Sequence, residues 1–401
     1  MLNMNKYIRQ NLKKMIAAVI IISVGLFLGF NLKYINHKPG DRNLSISENT
    51  GSALSVKEAS EIQELKIYDT WTHFTKKDGL PSDKINSVKA DVDRIWIGTD
   101  KGLALLVGGQ ITKVYHKEDG LAHNNVVSVE ISPSTGDVWI GTMGGLNRFS
   151  AGKFETFNQF NSGMPNDVVY QVYCVDKYVW VATGGGAGSY DIYNKKWEIF
   201  TEQNAPMHEP WTYGVSGGDG KVYIAAWGGG VIEYEIETGQ MRDYVDPDHE
   251  MEIDLFPDDG VVHDITTGTS YAEGVLWVGT YFGMSRYDGA RWKGYFDHDS
   301  GLASNFINFT KAQGKAVWLC TDNGLSNFNG ETWITYRPVP ESKKGEVIIT
   351  RGENKKTIIT NSTISHNFIW SMDIQDDVVW IASAKGLSKG EASGKLMAKA
   401  D

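Results

Sequence analysis

Four histidines and one glutamate are the residues of this 401-residue chain best suited to metal chemistry. They are His123, His208, Glu209, His263 and His366. Imidazole nitrogens and carboxylate oxygens are ligands that zinc and similar divalent ions accept. A histidine alone in a loop is more often simply solvated. The sequence therefore favours a chain without a cofactor, and it leaves Ca²⁺ at an acidic stretch of the chain, or another divalent metal at these residues, as the alternative.

Glycine pairs offer a second chemical possibility, as in "DVWIGTMGGLNRF" from Asp137 to Phe149. A glycine-rich turn that follows a strand can bind phosphate, but such a loop needs a helix directly after it. No helical pattern follows this turn, which indicates that its glycines serve the fold.

The phrase "VWIGT" and its variants return seven times along the chain. Their lead aromatic residues are spaced by 43, 41, 43, 54, 41 and 62 residues. They are Trp96, Trp139, Trp180, Tyr223, Trp277, Trp318 and Trp380. Strand-like runs stand before and after each copy. A period of about 40 to 45 residues with four strands per unit predicts the blades of a β-propeller.

Two glycine positions in each repeat fit this fold. A small residue always comes two positions after the lead aromatic, as at Gly98 and Gly279, where it leaves room for the adjacent blade. A later glycine, such as Gly145, stands in the turn between the second and third strands, where a positive φ is favoured. Both faces of the "VWIGT" strand are apolar, which predicts burial between stacked blades.

The seventh repeat lacks its fourth strand, and "YDTWTHF" at Tyr68 to Phe74 resembles that missing strand. We therefore predict that the segment around Trp71 completes blade seven and removes an open seam. The predicted organisation is a signal peptide or signal anchor at 1–35, a flexible tether at 36–66, the propeller at 67–390 and a tail at 391–401.

The N-terminal segment predicts the cellular location. Four bases precede the uncharged run Met15 to Phe30, which is the pattern of a secretory signal or a signal anchor. An uncleaved anchor in the inner or cytoplasmic membrane is favoured over a cleaved peptide, because no A-x-A-like site follows the run. Either alternative places the propeller outside the cytoplasm, in the periplasm or at the cell surface.

Charge and cysteine content exclude several classes of partner and site. Residues 1–42 hold seven bases and one acid, so the remainder carries 32 bases and 48 acids. A body this acidic repels phosphate backbones, which argues against nucleic acid. Cys174 and Cys320 fall in different blades, too far apart for a disulfide, and are predicted to be buried thiols. The acidic stretch from Asp243 to Asp259 lacks the spacing of an EF-hand, so a solvated loop is favoured over a Ca²⁺ site.

The repeat register places His123, His208, Glu209 and His366 in loops that lead into innermost strands, on one rim of the channel. His263 is placed just inside such a strand. Ligands from these blades would have to meet across the channel mouth.

Aromatic residues on the same rim predict a recognition surface for a protein or a small molecule. They are Trp227, Tyr281, Phe282, Trp211, Tyr213 and Tyr170. The alternative is that these side chains pack under loops and stabilise them. An insert at Arg337 to Thr363 is predicted to form a hairpin that stands above the disc on this rim.

The motifs resemble the two-component regulator propeller repeat, in which a "DGLPSN" lead-in precedes "LWIGTxxGGL". This chain has "DGLPSDKINSV", "DGLAHNNVVSV", "SGMPNDVVYQV" and "SGLASNFINFT", and the resemblance extends over about Tyr68 to Lys389. It implies a seven-bladed propeller that acts as an extracytoplasmic sensor module of a membrane histidine kinase. A second transmembrane run, a kinase segment and an Ig-like module, which the resemblance leads one to expect, are not recognised in this sequence.

Three functional classes follow from these patterns. A non-catalytic binding or scaffolding propeller is favoured, because no catalytic constellation is evident. The second is a metal-assisted lyase or hydrolase of the streptogramin-lyase type, which is similar in fold but whose active residues match none in this sequence. The third is a detached sensor subunit. In each case the membrane is contacted through the N-terminal anchor only.

Overall fold

Seven radial sheets surround a central channel in the computed structural model of the protein, which describes residues 62–246 and 260–394. The innermost strands of successive sheets are neighbours, and the ring closes between the last sheet and the first. The predicted all-β, seven-bladed propeller is thereby confirmed. The predicted anchor at 15–30, nearly all of the tether and the tail from 395 onward lie outside the described residues.

Each blade is an antiparallel meander whose strands run in order from the channel outward. Blade one contains β2 Ile85–Asp91, β3 Arg94–Thr99, β4 Gly102–Val107 and β5 Gln110–Tyr115. Blade two contains β6 Val126–Ile131, β7 Val138–Thr142, β8 Gly145–Ser150 and β9 Lys153–Phe157. Blade three contains β10 Val169–Val175, β11 Tyr178–Thr183, β12 Gly186–Asp191 and β13 Lys196–Phe200. Blade four contains β14 Thr212–Gly218, β15 Lys221–Ala226, β16 Gly230–Glu235 and β17 Met241–Tyr244.

The remaining blades follow the same order. Blade five contains β18 Thr266–Ala272, β19 Val275–Thr280, β20 Gly283–Tyr287 and β21 Trp292–Tyr295. Blade six contains β22 Ile307–Gln313, β23 Ala316–Thr321, β24 Gly324–Phe328, β25 Thr332–Pro338, β26 Gly345–Arg351 and β27 Asn354–Thr360. Blade seven contains β28 Ile369–Gln375, β29 Val378–Ser383, β30 Gly386–Glu391 and, outermost, β1 Thr70–Phe74. One short helix, α1 Gln159–Ser162, and two 3-10 turns, Lys76–Asp78 and Lys117–Asp119, lie in the loops. No helix among the described residues combines the length and the apolar character that a membrane crossing requires.

The second strand of every blade is buried on both faces, as its apolar pattern predicts. Its lead aromatic side chain is at most 5% exposed in all seven blades, from Trp139 at 0% to Trp380 at 5%. The turn glycine that follows adopts the predicted positive φ, for example 140° at Gly145 and 131° at Gly283. Both cysteines are free and buried, as predicted.

The small residue after the lead aromatic faces the next blade. A Cβ atom added at Gly279 would lie 2.6 Å from Cγ2 of Ile307, the first residue of the next inner strand. At Gly141 it would lie 2.8 Å from Cγ1 of Val169, which holds the equivalent place one blade further on. Small residues at these positions, two residues after each lead aromatic and called the small column here, therefore set the distance between blades.

Gly279→Ala is expected to lower the free energy of unfolding by about 1–3 kcal/mol, because the added methyl group overpacks the contact between blades five and six. Urea unfolding followed by tryptophan fluorescence measures the change. Gly184→Ala is the matched control, since its Cβ would lie 3.4 Å from the nearest atom, Asn166 Oδ1. If both variants unfold at the same midpoint, the small column does not set the spacing.

The two ends of the propeller close the ring in blade seven. Strand β1 pairs antiparallel with β30, and Trp71 lies opposite Gly390. The predicted closure by the N-terminal strand is confirmed. The chain before β1 runs along the turns of blades six and seven, where the Asn329 side-chain amide donates to the Gln63 carbonyl at 2.7 Å.

The insert between blades six and seven does form a hairpin, but the prediction that it stands above the disc is wrong. Strands β26 and β27 pair onto β25 and continue blade six outward as a six-stranded sheet. Without the hairpin, the outer edge of β25 would present unpaired backbone groups, as the edge strand of any sheet does. In addition, Val347 and Ile349 of the hairpin pack in one cluster with Ile67 and Trp71. Ladder hydrogen bonds and apolar burial together draw the hairpin into the plane of the blade.

The two rims of the disc differ in the connections they hold. The rim called upper here holds the loops that lead into the innermost strands and the turns between second and third strands. The lower rim holds the other turns, except the β25–β26 turn of blade six, which lies at the upper rim. Both ends of the propeller lie at the lower rim, where Lys66 pairs with Asp377 and the Ser393 amide donates to Asp69 at 2.9 Å.

Candidate functional site

A β-bulge interrupts every innermost strand at the same place near the upper rim. The register against the second strand shifts there in all seven blades. The bulged residues are Asn86, Val127, Tyr170, Tyr213, Thr267, Asn308 and Trp370. A bulge re-aims a side chain and is common beside functional sites. Seven equivalent side chains are thereby redirected at the channel mouth.

Six of the seven bulged side chains divide into two kinds, and Val127 of blade two belongs to neither. Asn86 donates to the Val126 carbonyl at 2.9 Å, Thr267 to the Ile307 carbonyl at 2.6 Å and Asn308 to the Ile369 carbonyl at 2.9 Å. Each of these bonds reaches the next inner strand and holds two blades together. Blades three, four and seven place an aromatic ring at this position instead, so their bulges contribute a surface rather than a bond between blades.

Six aromatic side chains from blades three to six form a continuous run on the upper rim, which we call the aromatic rim cluster. They are Tyr170, Trp211, Tyr213, Trp227, Tyr281 and Phe306. Tyr170 and Tyr213 stack with ring centroids 4.4 Å apart, and Trp227 meets Tyr281 nearly perpendicularly at 4.6 Å. All six are partly exposed. The structure thus brings together five of the six aromatic residues predicted from the sequence.

The sixth predicted residue, Phe282, lies on the same rim but outside this run. It is 38% exposed and stacks on His263 with centroids 4.1 Å apart. Trp211 lies one residue before β14, at the end of the loop that leads into this inner strand.

Sequence reasoning missed Phe306 and a smaller group on the upper rim at blades seven and one. In that group Phe368 contacts Trp370 at 4.6 Å, and the Lys84 ammonium lies 5.1 Å from the Trp370 ring. Phe306 and Phe368 hold the same repeat position as Trp211. Aligning the repeats on the residues that precede each inner strand would have found both.

The phenols of the cluster are neutral at physiological pH. Burial raises the pKa of Tyr170 to about 12. Burial also raises the pKa of Tyr213 and of Tyr281 above the ordinary value. Each hydroxyl therefore keeps its proton and can donate a hydrogen bond.

Three of the histidines considered as metal ligands serve as loop caps. The backbone amides of Asn125, Ile265 and Phe368 donate to Nδ1 of His123, His263 and His366 at 2.9 to 3.0 Å. In blades one and six, the hydroxyls of Ser82 and Ser304 accept the equivalent hydrogen bond from a backbone amide two residues later. These positions are therefore equivalent in the repeat, and the histidines replace a serine. His263 lies in the loop before β18, which corrects its predicted place inside the strand.

The remaining two candidate ligands lie in the loop before β14. His208 Nε2 lies 2.7 Å from Asp243 Oδ2, and Glu209 is half-buried beside it. No three His, Cys, Asp or Glu side chains are grouped for a metal ion within residues 62–246 and 260–394. The metal-ligand prediction is thus not supported by a common site among these residues. The part of the acidic stretch that follows Asp246 lies outside the described residues.

Charge divides the upper rim into two halves. In the loops into the innermost strands and the turns between second and third strands of blades three to six, the described residues include eight acids and neither lysine nor arginine. The β25–β26 turn, on the same rim of blade six, adds Glu341, Lys343 and Lys344. The eight acids are Asp167, Glu202, Glu209, Asp246, Asp264, Asp297, Asp299 and Asp322. The corresponding connections of blades seven, one and two hold six lysines and five acids. The aromatic rim cluster therefore lies in the acidic half.

An open pocket of about 600 Å³ lies in the other half of the upper rim. Its lining includes Asp100, Lys101 and His116 of blade one and Asn124 of the following loop. The aromatic rim cluster contributes none of its lining residues. The pocket and the cluster are therefore separate features of one rim.

No protein-family profile and no curated protein matches this chain. Its structure is similar to the extracellular domain of the hybrid two-component system BT3049 from B. thetaiotaomicron, with a TM-score of 0.59 and 18% identity over 82% of this chain and 42% of that one. The extracellular domain of BT4673 from the same organism matches with a TM-score of 0.58 and 17% identity over 80% and 40%. The chain thus spans about two fifths of the length of these domains.

A virginiamycin B lyase from Staphylococcus aureus is also similar, with a TM-score of 0.56 and 12% identity over 80% of this chain and 98% of the lyase. At these identities the similarities concern the fold. The resemblance to two-component regulator propellers is confirmed at that level.

Proposed function

We propose that the protein is a ligand-binding propeller that acts outside the cytoplasm and holds its ligand on the aromatic rim cluster. The observation that carries this proposal is the run of six partly exposed rings contributed by four successive blades. Aromatic side chains dominate the energetics of binding surfaces because they bury a large area at a small cost in conformational entropy. The ligand is a small molecule or a protein segment, and the proposal needs no resident metal or cofactor.

The packing of the six rings supports binding rather than stabilisation. The described residues form seven hydrophobic core clusters, one around each interface between blades, and the six rings belong to none of them. Phe200 and Trp292, in contrast, are 1% exposed and lie within such clusters. Removal of a cluster ring should therefore leave the core intact.

The extracytoplasmic location rests on two observations. The basic, then uncharged, N-terminal sequence is typical of an export signal or anchor, and structurally similar propellers belong to extracellular domains. A sensory role, as a detached sensor subunit, fits an extracytoplasmic location.

The double variant Trp227→Ala/Tyr281→Ala tests the proposal. It is expected to weaken ligand retention by about 2 kcal/mol or more, because the two perpendicular rings lie at the centre of the run. Its melting temperature should stay close to that of the wild type. Mass spectrometry of the molecules that immobilised wild-type and variant proteins retain from a cell-envelope extract measures the difference.

Tyr193→Ala is the matched control, since Tyr193 is 65% exposed in a turn of the lower rim. This variant should retain what the wild type retains. A double variant that retains the same molecules but melts early would contradict the proposal, because the rings would then be structural.

A further inference from the structure

We infer that the aromatic rim cluster binds an organic cation, such as a trimethylammonium or alkylammonium group. This inference rests on the proposed ligand-binding function and adds the chemical class of the ligand. Three features of the upper rim carry it: the charge of its two halves, the directions of the ring faces, and a carboxylate at the end of the run.

The charge of the rim selects against anions at this place. The connections that lead into or contain the cluster in blades three to six hold eight acids and no lysine or arginine among the described residues, and Arg337, Lys343 and Lys344 are the described bases at the outer part of blade six on this rim. Arg337 keeps its positive charge while it donates to the carbonyls of Asn323 and Ala303. Acids still outnumber bases on this part of the rim, so the net field over the cluster is negative and attracts cations.

The rings present faces in more than one direction. Tyr213 and Trp227 lie 5.1 Å apart with an interplanar angle of 35°, and Tyr281 is turned by 78° relative to Trp227. The face of an aromatic ring carries negative charge density, and a cation within about 6 Å of the centroid is attracted to it. A methylated or alkylated ammonium group suits such a surface best, because its apolar shell also gains from leaving water.

A carboxylate stands at one end of the run. Asp322 follows the second strand of blade six, and its amide donates to the Phe306 carbonyl at 3.2 Å. One carboxylate oxygen, Oδ1, is buried without a hydrogen-bond partner. The charge of Asp322 also acts on the Tyr281 phenol. Burial raises the pKa of the Asp322 carboxyl, and the Ser304 side chain makes a hydrogen bond to it. A carboxylate beside two aromatic rings is a favourable neighbour for a bound cation, which would also stabilise its charged form.

Choline chloride and its neutral isostere 3,3-dimethylbutan-1-ol test the inference on the full chain. The two molecules have nearly the same shape and differ in the charge of the central atom. Isothermal titration at matched ionic strength, with the fluorescence of Trp211 and Trp227 as a second readout, should show choline binding at least about tenfold more tightly.

Asp322→Asn should weaken choline binding by about fivefold or more. Asp100→Asn, which changes the equivalent turn of blade one and likewise removes a carboxylate with a buried, unpartnered Oδ1, should leave it unchanged. Equal binding of choline and the neutral isostere would overturn the cation inference while leaving ligand binding at the rim intact. Absence of choline binding, or equal loss in the two Asn variants, would also overturn it. Failure of the proposed function itself is detected separately, by unaltered retention in Trp227→Ala/Tyr281→Ala.

Discussion

Replacing Trp71 by alanine is expected to lower the free energy of unfolding by about 3–5 kcal/mol, because the side chain fills the seam that closes the ring. Trp71 is 8% exposed and packs against Tyr336 of blade six with ring centroids 6.0 Å apart. Its ring covers Gly390, where an added Cβ would lie 2.6 Å from Trp71 Cζ3. The indole therefore joins the outer strand of blade seven to its neighbour strand and to blade six.

The midpoint of urea unfolding, together with the slope of the transition, measures this effect. Thr72→Ala is the matched control, since Thr72 is the next residue of β1 and is exposed. That variant should lose less than about 1 kcal/mol. Equal midpoints for the two variants would show that closure does not depend on the indole.

Asp373→Asn is expected to cost about 3 kcal/mol of stability, because it removes the shared acid of a buried charge network. The Asp373 side chain is 6% exposed, and its oxygens lie 3.0 Å from Lys311 Nζ and 3.8 Å from Lys89 Nζ. Lys89 lies 2.7 Å from Glu130. These four residues hold equivalent places in the inner strands of blades six, seven, one and two, so the network crosses both boundaries of the closing blade.

Thermal and urea unfolding at pH 7 measure this loss. Glu331→Gln serves as the control, because Glu331 forms an ion pair with Arg351 in which both side chains are largely exposed, at 41% and 53%. An exposed pair contributes at most about 1 kcal/mol. Similar losses in the two variants would mean that the buried network is no stronger than a surface pair.

The same network predicts how stability depends on pH. Burial opposes ionisation of Asp373, but Lys311 and Lys89 outweigh it and hold the pKa of the carboxyl below its ordinary value. Burial likewise opposes the charge of Lys89, yet Glu130 and Asp373 hold the pKa of its ammonium above the usual value. Because the folded-state pKa of Asp373 is depressed, its contribution is present above the unfolded-state pKa of about 3.9 and is lost as the pH falls through the folded-state pKa.

The difference in stability between the wild type and Asp373→Asn should therefore be largest near neutral pH and shrink below about pH 4. Urea unfolding of both proteins between pH 7 and pH 3 measures this difference. A difference that stays constant over that range would indicate that the charge of Asp373 does not act on stability.

Much of the fold could be predicted from the sequence because the propeller repeats one pattern seven times. The lead aromatics, the small column at Gly279 and the turn glycine at Gly145 each follow from local packing or backbone geometry, and repetition removes the ambiguity of a single copy. Closure by the strand at Trp71 could be predicted for the same reason, since a missing fourth strand in one repeat requires a replacement elsewhere. The hairpin at Gly345 was also evident, but its direction was not.

The candidate site was predicted only in part. Trp227 and Tyr281 stood out because aromatic residues replace the polar residues of other blades in the turns. Phe306 did not stand out, because a phenylalanine before an apolar strand is indistinguishable in sequence from a core residue. His263 and His366 looked like ligands, since the chain alone does not show that Nδ1 accepts a hydrogen bond from an amide two residues later.

The sequence by itself determined the seven-bladed ring, its closure and the acidity of the body, because these depend on repeated local patterns and on composition. Tertiary structure alone decided where the bulged side chains point, which rings touch across blades, and which connections lie beside the aromatic rim cluster. It also decided that the hairpin extends blade six, since that choice depends on the free edge of β25 and on apolar contacts with Ile67 and Trp71. These features arise between residues far apart in the chain, and the spacing of residues along one strand does not show which residues of another strand lie beside it.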